Sequence, residues 1–170
     1  MIDWKLFDWE EIFGAVESTA GLKRKQTRAL RTEVQEIATS KYSGNQLTYV
    51  GDKEDGKDYT DCNGLSVEDK AQEGMFCKTI DRTKVFILKN FQGNQTEFVK
   101  TFDYIILKDT KNMSVGWATW EAVAKNVVIK DAVITSFVNY HDLHMIEFFV
   151  KPKQKDDFGI KLRKLIEEHV

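Results

Sequence analysis

The chain contains one proline, Pro152, in 170 residues, and it has no low-complexity tract. Without such stretches we expect no linker, and therefore a single domain over residues 1–170. Two cysteines, Cys62 and Cys77, are too few for a disulfide framework, which favours a reducing, cytoplasmic compartment. No apolar run approaches the roughly 18 residues of a membrane span, so no membrane partner is expected. The opening MIDWKLFDWE lacks the apolar core of a signal peptide.

The chain also lacks a strong excess of either charge, since its formal net charge is −2. This value excludes a generally basic, histone-like binder, but it leaves room for local basic patches. One such patch lies in the first half of a predicted long helix and consists of Lys23, Arg24, Lys25, Arg28 and Arg31. These cations form either a solvated helix face or a set of contacts to a DNA backbone.

Apolar residues at helical spacing predict a helix over residues 8–16 with Asp8 as its N-cap. The longest helix is predicted over residues 17–42, capped by Ser18 or Thr19 and ended by the sequence Ser-Gly-Asn at 43–45. Glu33 lies beside the apolar stripe of this helix, so we expect it to point inward. A third amphipathic helix is predicted over the tail, residues 157–169.

Short strands are predicted at 46–50 and in both arms of a hairpin at 57–72. Further strands are predicted at 115–120, 127–130, 132–139 and 143–150, with one helical turn at 121–125. Two wholly apolar runs, at 85–88 and 104–107, predict strands buried on both faces, with a helix at about 94–101 between them. A strand, a helix and a strand form a crossover unit, so we expect these two strands to be parallel neighbours. The fold class is therefore α/β or α+β, with a mixed sheet flanked by helices.

The hairpin has the sequence KDYTDCNGLSVEDKAQ, and its turn is Cys-Asn-Gly at residues 62–64. Asn and Gly accept the positive φ angles of tight turns. A three-residue loop pairs Asp61 with Leu65 and places Asp58 directly across from Glu68. A two-residue Asn-Gly loop shifts the register by one and puts Asp61, not Asp58, on the face of Glu68. Both arrangements bring two carboxylates onto one face of the sheet.

Two carboxylates that face each other at about 4 Å repel by about 4 kcal/mol at an effective dielectric constant near 20. A shared proton or a bound cation relieves this repulsion. Mg²⁺, with Mn²⁺ as a substitute, prefers such oxygen ligands and leaves room for water and phosphate. Alternation along the second strand places Lys70 and Gln72 on the same face as Glu68. Two acids and a lysine on one face indicate phosphodiester hydrolysis.

Asp58, nine intervening residues and Glu68-Asp69-Lys70 resemble the catalytic hairpin of the PD-(D/E)xK nuclease superfamily, the restriction-endonuclease-like group. That superfamily includes type II restriction endonucleases, Holliday-junction resolvases and recombination nucleases. The resemblance implies an αβββαβ core over about residues 17–109, followed by a β-containing extension at 110–170 with a terminal helix. It implies a Mg²⁺-dependent DNA endonuclease, most simply of restriction type.

The resemblance also implies residue roles. Asp58 and Glu68 would bind Mg²⁺, with the backbone carbonyl of Asp69 as a further ligand, and Lys70 would position or activate the attacking water. The accessory positions of the family correspond to Gln72 and to Glu33, the additional acid on the first helix, and Asp61 joins them if the turn is shorter. Two departures stand out: Lys57 replaces the proline of the motif, and Asp69 carries a charge where the middle residue is usually apolar.

Two other functions are compatible with the same residues. The chain could bind nucleic acid or a protein partner without catalysis, which its near-neutral charge favours, or it could act on RNA. A nuclease that cuts both strands of a palindrome is expected to be a symmetric homodimer, with the N-terminal helix and the tail as candidate interfaces.

Overall fold

The structure is a computed structural model that describes residues 1–19, 24–51, 57–73, 84–89, 99–131, 133–149, 164–165 and 167–168; the side chains of 24–31 and 84–89 are not described. The α-helices are α1 (Trp9–Glu17), α2 (Arg24–Lys41) and α3 (Trp120–Ala124). The strands are β1 (Leu47–Tyr49), β2 (Tyr59–Asp61), β3 (Ser66–Gln72), β4 (Lys84–Lys89), β5 (Tyr104–Asp109), β6 (Ser114–Thr119), β7 (Val128–Lys130), β8 (Val133–Asn139) and β9 (His144–Ile146).

The strands form two sheets. The larger has six strands in the order β1-β2-β3-β5-β6-β9, and the smaller has three in the order β4-β8-β7. Strands β3 and β5 are parallel, whereas the other pairs of the larger sheet are antiparallel. The predicted mixed α/β character and mixed sheet are therefore confirmed. Strands β6 and β9, which the sequence assigned to a C-terminal extension, continue the larger sheet.

The predicted crossover from the strand at 85–88 to the strand at 104–107 is wrong. Both strands exist, but β4 pairs antiparallel with β8 in the smaller sheet. The parallel partner of β5 is β3, with Val67 opposite Tyr104 and Gln72 opposite Asp109. Apolarity on both faces shows that a strand is buried, but it does not identify the neighbour. The helix predicted at 94–101 lies mostly outside the described residues, and residues 99–101 are not helical.

The helix ends follow local capping, with one correction. Asp8 caps α1 by accepting a hydrogen bond from the backbone N–H of Glu11, as predicted. Ser18 and Thr19 do not open the long helix at residue 17. Their hydroxyls donate to the carbonyls of Ala15 and Val16 and so end α1. Helix α2 then starts at Arg24.

The end of α2 was predicted correctly. Gly44 and Asn45 have φ angles of +68° and +63°, the left-handed conformation that ends helices. Of the tail helix predicted over 157–169, residues 164–165 and 167–168 are described and helical, and Leu165 is buried against α2. The remaining predicted strands are present, and β9 is shorter than expected.

Strand β5 lies between two apolar clusters. Tyr104 and Ile106 pack with α1 on one face of the larger sheet, whereas Ile105 and Leu107 pack with α3 and β8 on the other. The apolar residues of α1, among them Trp9 and Phe13, are buried in the first cluster. The apolar face of α1 therefore covers the core. None of the described helices is long and apolar enough to cross a membrane.

Candidate active site

The turn at residues 62–64 sets the register of the β2–β3 hairpin. Gly64 has a φ angle of +82°, which glycine adopts without steric cost. Tyr59 pairs with Val67 and Thr60 with Ser66. Continuing that register one position outward places Asp58 opposite Glu68, as the three-residue loop predicts. The three-residue turn is therefore confirmed.

Asp61 has a structural part in the turn. One carboxylate oxygen accepts the backbone N–H groups of Asn63 and Leu65, both at 2.9 Å. The other accepts the hydroxyl of Tyr104 at 2.8 Å, which ties the turn to β5. The alternative in which a two-residue loop puts Asp61 on the face of Glu68 is therefore wrong.

Asp58, Glu68 and Lys70 meet on one face of the hairpin. The Lys70 Nζ lies 3.0 Å from Glu68 Oε1. The carboxyl groups of Glu68 and Asp58 are hydrogen-bonded to each other. Asp58 Oδ2 also accepts the backbone N–H of Asp69 at 2.8 Å, which orients that carboxylate. The three residues predicted as catalytic therefore lie in direct contact.

A third acid, Glu36, reaches this group from α2, and the sequence prediction missed it. Glu36 is buried, and burial raises its pKa to about 9, with further contributions from the charges of Asp58 and Asp69. The helix acid predicted in its place, Glu33, is exposed. Every residue of α2 from Val34 to Thr39 is buried, whereas Glu33 directly precedes this buried stretch. The apolar stripe of the predicted helix singled out Glu33, and no pattern in the sequence marked Glu36.

The electrostatics of the site favour bound protons on the acids. Burial raises the pKa of Glu68 to about 8; the charge of Lys70 opposes this shift and that of Asp58 adds to it. Burial also raises the pKa of Asp58, with the charge of nearby Asp69 adding to the effect. For Lys70, burial lowers the pKa, but the charges of Glu68, Asp58 and Glu36 outweigh it, so the net shift is upward.

Asp69, the charged residue between Glu68 and Lys70, forms an ion pair with a buried lysine. Its Oδ2 lies 2.6 Å from the Nζ of Lys108, and both side chains are fully buried. The same oxygen accepts the hydroxyl of Tyr59 at 2.5 Å, and Oδ1 accepts the side-chain amide of Gln35 at 3.3 Å. No sequence pattern marked Lys108, which directly follows the apolar residues of β5. Asp69 therefore neutralises a buried lysine and faces away from Glu68.

The carboxylates of the site match one common mode of Mg²⁺ binding. Within the described part of the chain, no three His, Cys, Asp or Glu side chains are arranged to enclose a metal ion by themselves. Mg²⁺ is commonly held by one or two carboxylates, with waters and substrate phosphate completing its coordination. Asp58 and Glu68 supply two such carboxylates. The site therefore fits an ion that is bound together with a phosphate substrate.

The remaining predicted residues lie outside this contact. Gln72 is exposed at the end of β3. Lys23 lies outside the described residues, and the backbones of Arg24, Lys25, Arg28 and Arg31 belong to α2 while their side chains are not described. Their proposed contact with a DNA backbone stays a prediction.

We predict that Lys108→Met strongly destabilises the protein, because it leaves Asp69 as an uncompensated buried charge. The expected loss is about 3–5 kcal/mol in the free energy of unfolding, measured by urea denaturation. Lys125→Met is the matched control, since it removes the exposed ion pair with Asp142. That change is expected to cost less than about 1 kcal/mol. Equal losses in the two variants would contradict the prediction.

We predict that the melting temperature of the metal-free protein falls between pH 6 and pH 9. Carboxyl groups with raised pKa values keep protons in the folded state that the unfolded chain releases above about pH 4.5, so stability falls as pH rises through the folded pKa values of about 8 and 9. Glu36→Gln should flatten this slope, and Glu33→Gln on the same helix should leave it unchanged. A melting temperature that is constant over this range would refute the assignment.

No family model matches the chain, and no curated protein or solved structure matches it either. The function is therefore inferred from the side chains of the site.

Proposed function

We propose that the protein is a Mg²⁺-dependent endonuclease that hydrolyses phosphodiester bonds in DNA, most simply of restriction type. The observation that carries this proposal is the contact of Asp58, Glu68 and Lys70 on one face of the β2–β3 hairpin. Glu36 adds a third acid from α2. Three acids beside one lysine are costly to bury, and a divalent cation relieves that cost.

The side chains have distinct roles in this proposal. Asp58 and Glu68 offer carboxylate oxygens to the cation, and the backbone carbonyl of Asp69 is the proposed further ligand. Bound Mg²⁺ would lower the pKa of water and stabilise negative charge on the phosphoryl group. The backbone N–H of Asp69 holds Asp58 in place for this purpose. The charges of Asp58 and Glu68 act on Glu36, and its pKa of about 9 keeps Glu36 protonated at neutral pH.

Lys70 acts in this proposal as a positive charge. Its pKa is shifted upward, so its Nζ stays protonated at neutral pH and is a poor base. A protonated ammonium donates hydrogen bonds to a phosphoryl oxygen and stabilises the charge that develops there as water adds to phosphorus. It also orients the attacking water without removing its proton. We therefore assign Lys70 to charge stabilisation and positioning, and the proton of the water to another acceptor.

The chain order supports a nuclease core of the αβββαβ type. Helix α2 is followed by β1, β2 and β3, and the next strand of the larger sheet, β5, is parallel to β3. A parallel pair requires a crossover connection. In this chain the crossover runs from residue 73 to residue 103 and includes β4, which joins the smaller sheet; the helix predicted at 94–101 lies mostly outside the described residues. The homodimer expected of an enzyme that cuts palindromes belongs to the same proposal.

We predict that Glu68→Gln and Lys70→Met each reduce DNA cleavage by about 10²–10³-fold while the protein stays folded and binds DNA. Glu73→Gln and Lys111→Met are matched controls, because both residues are exposed beyond the ends of β3 and β5. Cleavage is measured with plasmid and genomic DNA and Mg²⁺, with EDTA as a blank. Wild-type cleavage rates in Glu68→Gln would sink the assignment.

The same assay separates the other two functions. A wild-type protein that cuts RNA and leaves DNA intact would identify an RNA-acting nuclease on this hairpin. A wild-type protein that binds nucleic acid and cuts neither substrate would identify a non-catalytic binding protein. Genomic DNA is included because a rare recognition sequence could be missing from one plasmid.

We predict that the affinity for Mn²⁺ rises with pH between pH 6 and pH 9. Metal binding has to displace protons from carboxyl groups whose pKa values are raised to about 8 and 9. Calorimetry in buffers of different ionisation enthalpy would show proton release on binding at pH 7 and less release at pH 9. An affinity that is independent of pH over this range would contradict the prediction.

A further inference from the structure

We propose that the buried pair of Lys108 and Asp69 is a positioning device that sets the placement of Glu36, Asp58 and Glu68 relative to one another. The proposal rests on the proposed function in one respect, namely that these carboxylates bind a metal ion. The hydrogen bonds that support it are those of the metal-free protein. Neither residue of the pair belongs to the face that carries Glu68 and Lys70.

The hydrogen bonds of Lys108 join three elements of the fold. Its Nζ donates to Asp69 Oδ2 in β3 at 2.6 Å, to Gln35 Oε1 in α2 at 2.5 Å and to Thr39 Oγ1 in α2 at 2.6 Å. A lysine ammonium has three hydrogens to donate, and all three are used here. The side chain of Lys108 is fully buried, so water does not replace these partners. The position of α2 against β3 and β5 is therefore fixed by one ammonium group.

Asp69 brings a fourth element into the same group. Its carboxylate accepts the hydroxyl of Tyr59 in β2 and the side-chain amide of Gln35 in α2. Its backbone N–H donates to the carboxylate of Asp58. Asp69 thus contacts Lys108 through its side chain and an acid of the site through its backbone.

Each acid of the site is the chain neighbour of a residue in this buried group. Gln35 precedes Glu36, Tyr59 follows Asp58, and Asp69 follows Glu68. Neighbouring Cα atoms are held about 3.8 Å apart across a planar peptide. When a residue of the buried group is held in place, the backbone of the neighbouring acid is restrained with it. Lys108 in this way restrains the positions of all three acids relative to one another.

Stability alone does not require an ion pair at this place. A buried pair of charges replaced by apolar side chains of similar volume often leaves a protein as stable or more stable. The double variant Asp69→Leu with Lys108→Met therefore separates positioning from stability. Metal sites lose about 10–100-fold in affinity when the groups that orient their ligands are removed.

The experiment compares the wild type and this double variant by three measurements: thermal melting, Mn²⁺ titration by calorimetry and hydrogen exchange at the backbone amide of residue 69. The control is the double variant Lys125→Met with Asp142→Leu, which removes an exposed pair. We expect the buried double variant to melt at or above the wild-type temperature, to bind Mn²⁺ at least tenfold more weakly and to exchange the amide faster. The control should match the wild type in Mn²⁺ affinity and in exchange.

A folded double variant with wild-type Mn²⁺ affinity and wild-type exchange would overturn the proposal. If the wild type binds no Mn²⁺, the proposed nuclease function fails, and the exchange of the residue 69 amide alone decides whether the pair positions Asp58. If the double variant does not fold, Thr39→Val takes its place, because it removes one acceptor of Lys108 and keeps the ion pair. Faster exchange in that variant supports the proposal, and unchanged exchange overturns it.

Discussion

The burial of neighbouring carboxyl groups is the constraint on which the rest of the site depends. Glu36 lies in α2, Asp58 directly precedes β2 and Glu68 lies in β3; burial raises the pKa of each, and the charge of a nearby acid adds to the effect. Without a cation the group holds protons, and the hydrogen bond between Asp58 and Glu68 is one result. Buried acids are costly for stability, and they are found where chemistry requires them.

The protein places one lysine on each face of β3 against this negative charge. Lys70 lies beside Glu68 on the front face, partly accessible to solvent. Lys108 is fully buried on the back face and contacts Asp69. The two lysines differ in what they are free to do. The ammonium group of Lys70 can be reached from solvent, whereas every donor of Lys108 already has a protein partner.

Much of the hairpin could be predicted from the sequence, because local rules determine it. The turn at 62–64 needed a residue with positive φ, and Gly64 supplied it. Once the loop length was known, alternation along the strands placed Asp58, Glu68 and Lys70 together. The capping of α1 by Asp8 and the end of α2 at Gly44 are equally local.

The errors concern contacts between residues far apart in the chain. The burial of β4 was predicted, but its pairing with β8 depends on which of two sheets it joins. Glu36 was missed because the acids that influence it, Asp58, Asp69 and Glu68, lie far along the chain. Lys108 looked like the end of an apolar strand, and its acceptors Gln35 and Thr39 lie about 70 residues earlier. Helical and strand periods describe one element at a time and carry no information on such pairings.

Asp69 departs from the sequence motif, and its surroundings in the structure explain how its charge is accommodated. In the sequence, the charge between Glu68 and Lys70 is a departure from the motif, whose middle residue is usually apolar. In the structure, Asp69 is fully buried and forms an ion pair with Lys108, which is also fully buried. The compensating lysine on β5 therefore removes the physical objection that Asp69 raised.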